Sequence, residues 1–242
     1  MVSERKKSSL TVFDKLSMKP LREPVPIRLK FIKTGDLQYI SHLDLQRVMS
    51  RVIVRSGVPA WYTQGFNPHA KMVFSMPLSV GAQSVCEYLD IKIDREISTE
   101  EILERLNAQV TDEMRFTAAY TPQSKLSEIA FVKYEIDICT DVSDAALADR
   151  AREILTTRPL NMMKRSKSGE REVDILEYFK SVEVSTDETL KISVVLKGGE
   201  GSLNPEMIVS ALRERLGILA SDEESYTIMR TAVYFADGRE FE

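Results

Sequence analysis

Cysteine, histidine and tryptophan are scarce in this sequence of 242 residues, which has two, two and one of them. The two cysteines, Cys86 and Cys139, stand far apart in strand-like runs. That pattern excludes a disulfide framework and a cysteine-rich metal motif. It also means that no iron–sulfur cluster is expected on this chain itself. The plain reading is two small buried hydrophobes. No apolar run approaches the roughly 20 residues of a membrane span, so no membrane association is expected. The first residues lack an apolar h-region, so no secretory leader is expected and a reducing cytoplasm is the expected location. There is no P-loop and no G-x-G-x-x-G fingerprint, which removes the commonest phosphate-binding loops.

What is present is an ordinary globular composition, 43% hydrophobic and 29% charged, with a net charge of −4. The charge is unevenly spread. Residues 26–75 carry seven basic groups against two acidic ones, and residues 1–25 carry six against three, so the remainder of the chain is strongly acidic. One basic segment in an acidic protein points to a localised anion-binding surface.

Residues 1–25 are polar, rich in Lys, Arg and Ser, and read as a flexible tail. Alternation in Ile27–Lys33 predicts a strand. Ser41 is the expected cap of a helix whose apolar face is Leu45, Val48, Met49, Val52 and Ile53, ended by Gly57. Strands follow at 71–76 and 86–94, then a helix over 98–109 opened by Ser98 with Glu101 in a capping box, then a strand at 115–120. The order β-α-β-β-α-β then recurs with one extra strand: 131–139, helix 143–155, 160–165, 180–185, 190–197, helix 204–216 and 226–235. The expected fold class is α+β: two tandem ferredoxin-like sandwiches with antiparallel sheets, over 26–123 and 128–236.

Three stretches concentrate chemistry-bearing residues: Tyr39–Arg47, Tyr62–Lys71, and Pro77–Gly81 leading to Glu87 and Tyr88. Both histidines lie in the first two. His42, Asp44 and His69 have the composition of a two-histidine, one-carboxylate metal site. Against it, His42 and Asp44 diverge by roughly 200° on a helix, and Asp44 has a simpler task at the helix start beside Arg47, so no metal is expected. Anion binding fits better. Arg47, Arg51 and Arg55 form one helical stripe, and the helix start at Ser41 and His42 favours an anion. Tyr62, Gln64, Phe66, Asn67, His69 and Lys71 interleave aromatic, amide and basic groups, as a surface that stacks on nucleic-acid bases does. The alternative is a solvated basic helix face with Tyr62 and Phe66 in the core. Two looser features are the basic loop 164–172 and the glycine-rich 198–202, the latter expected to be a plain connection.

The runs F-x-K-x-G-x-L-x-Y-I-S-H-L-D-L-x-R (31–47), G-V-P-A-W-Y-T-Q-G-F-N-P-H-A-K-M (57–72), P-L-S-V-G (77–81) and E-Y-L-D (87–90) resemble the radical-SAM-associated protein family. K-R-S-K-S-G with V-D-I downstream is similar to that family's second half. The resemblance implies a stand-alone form that works with a radical-SAM protein in trans. It implies that the partner supplies S-adenosylmethionine and the iron–sulfur cluster. It assigns no catalytic residue. The expected function is therefore an accessory or substrate-binding protein for that partner, acting on RNA or a ribonucleoprotein. The alternative is an enzyme in its own right, acting on a phosphorylated or nucleotide-like small molecule held near His42, Asp44 and His69. His42, Arg47, Tyr62, Asn67, His69 and Lys71 are expected on one concave surface, with Gly65 and Gly81 at positive φ.

Overall fold

Helix and strand boundaries follow the local signals closely. The structure, a computed structural model, describes residues 15, 17–141, 143–166, 169–199 and 201–242. Those residues form ten strands and four α-helices in two compact units, one comprising residues 1–75 and 87–123, the other 76–86 and 124–242. The chain is thus mixed α+β. No helix among the described residues is long and apolar enough to cross a membrane.

The first unit has β1 (Pro20–Lys33), α1 (His42–Ser56), β2 (Met72–Phe74), the later part of β3 (Ala82–Arg95), α2 (Thr99–Asn107) and β4 (Phe116–Tyr120). Its strand order is β4-β1-β3-β2. β1 begins at Pro20 rather than at Ile27, so part of the expected tail is strand. Residues 1–14 and 16 of that tail lie outside the described residues. α1 starts where the sequence predicts, because the Ser41 side chain accepts from the Asp44 amide. It stops at Gly57, whose φ of 67° is the left-handed cap that glycine supplies without strain. α2 has only half of its expected capping box. Ser98 accepts from the Glu101 amide, but the Glu101 carboxylate turns to Arg105. Leu45, Met49, Val52 and Ile53 of α1 meet Ile102 and Leu106 of α2 over Leu29, Phe31, Leu89 and Ile91 of the sheet. Each such side chain contributes roughly 1.5–3 kcal/mol when fully buried, so this face holds the helices on the sheet.

The second unit has the start of β3 (Ala82–Cys86), β5 (Phe131–Cys139), α3 (Ala145–Thr156), β6 (Asn161–Ser166), β7 (Gly169–Asp174), β8 (Phe179–Thr186), β9 (Leu190–Lys197), α4 (Glu206–Leu216) and β10 (Ser225–Tyr234). Its strand order is β3-β10-β5-β9-β8. β6 and β7 pair only with each other, as a separate antiparallel hairpin. The described part of the basic loop expected at 164–172 belongs to this hairpin; Lys167 and Ser168 lie outside the described residues. One pairing departs from the all-antiparallel expectation: β10 runs parallel to β3 over Ile228–Arg230 and Ala82–Ser84. A parallel neighbour needs a long crossover, and the intervening chain supplies it. The cysteines also divide. Cys86 is buried, but Cys139, at the end of β5, is exposed, correcting the expectation of two buried thiols.

Candidate functional site

The residues singled out in 39–71 fall into two groups on the first unit. The first is at the start of α1. His42 Nε2 lies 2.9 Å from Gln46 Nε2, and its ring meets Phe74 edge-on at 5.3 Å. Asp44 is a capping carboxylate: it accepts from the Ser41 hydroxyl at 2.7 Å and from Arg47 Nη1 at 2.8 Å. Those bonds, the Ser41 hydroxyl first and Arg47 second, hold its pKa below the ordinary value. Arg47, Arg51 and Arg55 are all exposed, so the stripe read from their spacing faces solvent.

The second group is the connection from α1 to β2. Tyr62 bridges to Ala70, and the Thr63 amide donates to the His69 carbonyl at 2.9 Å, which ties the loop into a closed tongue. His69 sits in a local network. Its Nδ1 lies 3.1 Å from the Asn67 carbonyl and 3.2 Å from Thr63 Oγ1, and that hydroxyl also accepts from the His69 amide. Gly65 has φ of 135°, as expected, and gives the tongue its turn. Phe66 is fully exposed, Gln64 and Asn67 are exposed beside it in the chain, and Lys71 is exposed at the base of the tongue, its amide donating to the Trp61 carbonyl at 3.4 Å. A large apolar ring held in water at a loop tip has no packing role in the free unit.

Tyr62 is half-buried in the wall of an open cavity of about 390 Å³ lined also by Lys15, Trp61, Thr63, Gln64, Gly65, Pro68 and Asp94. Burial pushes the Tyr62 hydroxyl above its ordinary pKa. Lys15 Nζ donates to the Ala60 carbonyl at 2.8 Å, pairs with Asp94 at 3.1 Å and stands 5.7 Å from the Tyr62 ring centroid. Trp61, Thr63, Lys15 and Asp94 were not among the residues singled out from the sequence. Trp61 and Thr63 could have been, since they belong to the same unbroken motif. Lys15 could not, because it stands far from the loop in sequence and in a segment that reads as tail.

Among the described residues, no hydrogen bond, ion pair or ring contact joins the α1 group to the tongue. No group of three or more metal-ligating side chains is found among them either. In this arrangement Asp44 caps a helix and His69 braces a loop. What it offers a ligand is an aromatic, amide-rich and basic surface.

Comparison with solved structures gives distant likenesses. One is an unknown protein from Galdieria sulphuraria, at 8% identity and a TM-score of 0.26, covering 86% of this chain and 99% of that one. Another is a putative glycine cleavage system transcriptional repressor, at 11% identity and a TM-score of 0.24, covering 86% and 98%. Neither carries an argument at these scores. No curated protein matches. A family profile described as "Uncharacterized protein conserved in bacteria (DUF2344)" matches residues 26–205.

Proposed function

We propose that this chain, which belongs to that family of uncharacterized proteins conserved in bacteria, is a cytoplasmic accessory protein that presents RNA to a partner radical-SAM enzyme. The partner brings S-adenosylmethionine and the iron–sulfur cluster; this chain brings the binding surface. The motif resemblance supports the partner, and the residues support the surface. Each unit is read here as a ferredoxin-like sandwich. Supporting this are the repeated element order and the antiparallel order β10-β5-β9-β8 in the second unit, matched by β4-β1-β3-β2 in the first.

The observation that carries the reading is Phe66. It is fully exposed at the tip of a tongue braced by the Thr63–His69 bonds, with Gln64 and Asn67 exposed beside it in the chain and Lys71 exposed at the tongue's base, where its amide donates to the Trp61 carbonyl. A solvated ring beside amides, on a tongue with a cation at its base, matches what an unstacked base requires: a π-face, hydrogen-bonding edges and a phosphate contact. The arginines of α1 add phosphate-binding charge that is independent of base sequence.

The test is single-stranded RNA binding by the full chain, measured by fluorescence anisotropy for the wild type and Phe66→Ala. Stacking is worth about 1–3 kcal/mol per base, so affinity should fall about fivefold or more in the variant while the fold, read by circular dichroism, is unchanged. Equal affinity in the two proteins would remove the tongue from the reading.

A further inference from the structure

Pro77–Gly81 and the glycine-rich 198–202 have no part in the surface just described. Residues of each, Pro77 and Ser79 of the first and Gly199 and Ser202 of the second, line one cavity of the second unit, about 170 Å³ in volume. Pro77, Ser79, Gly199 and Ser202 face it together with Tyr134, Lys197, Asn204 and Arg230. The described lining includes two cations and no carboxylate.

The hydrogen bonds around this cavity occupy the oxygens of Tyr134 and Asn204 and leave a donor on each. Tyr134 is 5% exposed, and its hydroxyl oxygen accepts from Arg230 Nη2 at 3.0 Å and Nε at 3.3 Å. A phenol with both acceptor sites filled still holds one O–H proton to donate, and among the described residues no acceptor is found for it. Arg230 is itself fixed by the Met76 and Pro77 carbonyls at 3.0 and 3.2 Å, which holds the tyrosine in place.

Asn204 repeats the pattern. Its Oδ1 accepts from Ser79 Oγ at 2.9 Å and from the Glu206 amide at 3.2 Å. The Glu206 amide can only donate, so the oxygen of Asn204 must face it, and the side-chain NH2 with its two donors is turned the other way. Asn204 is exposed, unlike Tyr134, and that NH2 has no protein partner among the described residues. Because Asn204 already serves the first amides of α4, the end of that helix is not what makes the site. The ammonium of Lys197, an exposed residue of the lining, adds three donors and a positive charge.

A buried phenol with a proton left to donate, an amide NH2 and an ammonium, on one cavity whose described lining has two cations and no carboxylate, fits a small anion. We propose that it binds a small oxyanion, the phosphate or carboxylate group of a small ligand, through the Tyr134 hydroxyl, the Asn204 amide and the Lys197 ammonium. This site is separate from the tongue and stands whether or not the tongue binds RNA.

The experiment is titration of the full chain with inorganic phosphate and, separately, with sodium acetate at constant ionic strength, followed by calorimetry. Saturable binding of either probe is expected, and which probe saturates identifies the group. Asn204→Asp keeps the oxygen that caps α4 and replaces the NH2 with a second anionic oxygen, so it should fold normally and lose binding at least about tenfold. Tyr134→Phe removes only the hydroxyl and should weaken binding about tenfold. The proposal is overturned if neither probe saturates, or if folded Asn204→Asp binds as tightly as the wild type.

Discussion

Arg28 and Asp90 form a two-point ion pair within the first unit, Nε to Oδ1 at 2.7 Å and Nη2 to Oδ2 at 2.9 Å, with the arginine side chain fully buried. Burial alone would lower the guanidinium pKa; the Asp90 hydrogen bond and charge raise it above the ordinary value. Removing one partner of such a pair leaves a buried charge without its counter-ion, which costs about 3–5 kcal/mol. Asp90→Ala should therefore lower the urea midpoint steeply. Arg28→Met with Asp90→Leu should recover most of that loss, because the pair is replaced by apolar packing. A single variant with wild-type stability would show that the pair contributes nothing.

Gly65 and Gly81 hold φ of 135° and 89°, and a Cβ at either would meet nothing within 4 Å. Any cost of alanine there comes from the backbone alone. Gly65→Ala and Gly81→Ala should each lose about 1–2 kcal/mol in chemical denaturation, with no change in the denaturant slope.

Tyr226 donates to Glu206 Oε1 at 2.6 Å, and its pKa is pushed up to about 12, first by burial and then by that carboxylate. A folded pKa raised above the unfolded value stabilises the fold below the unfolded pKa. The contribution is lost as pH rises from the ordinary value of 10.0 towards about 12. Ultraviolet titration should show Tyr226 ionising late, beside the raised Tyr62, and Glu206→Gln should bring Tyr226 alone back towards the ordinary range. No late-titrating tyrosine in the wild type would refute this account of the side chain.

Arg47 and Lys71 are exposed, one on α1 and one on the tongue. If both touch phosphates, replacing both with alanine should weaken RNA binding and flatten its dependence on salt. The logarithmic slope should fall by roughly 0.7 for each phosphate of a single strand that is no longer neutralised. An unchanged slope with weaker binding would mean that the two act through the fold and not through phosphate.

Local chemistry made much of this protein legible from its residues. Phe131–Cys139 and Leu190–Lys197 are strands over the range their alternation predicts. α1 lies between Ser41 and Gly57 because a capping oxygen and a left-handed glycine act within one turn of the chain. The exposed arginine stripe follows from helical spacing alone. Charge counting did less well. Arg28 and Lys33 entered the tally of a basic surface, yet both are buried, and nothing within a few residues of either announces its burial. The same limit hid the second-unit cavity. Pro77 and Ser79 reach Arg230 and Asn204 across more than a hundred residues of chain. They do so where β10 pairs in parallel with the start of β3. Which strands become neighbours depends on the collective burial of both sheet faces, so tertiary packing alone decided that a proline-punctuated turn, a glycine-rich connection and a buried arginine would share one cavity.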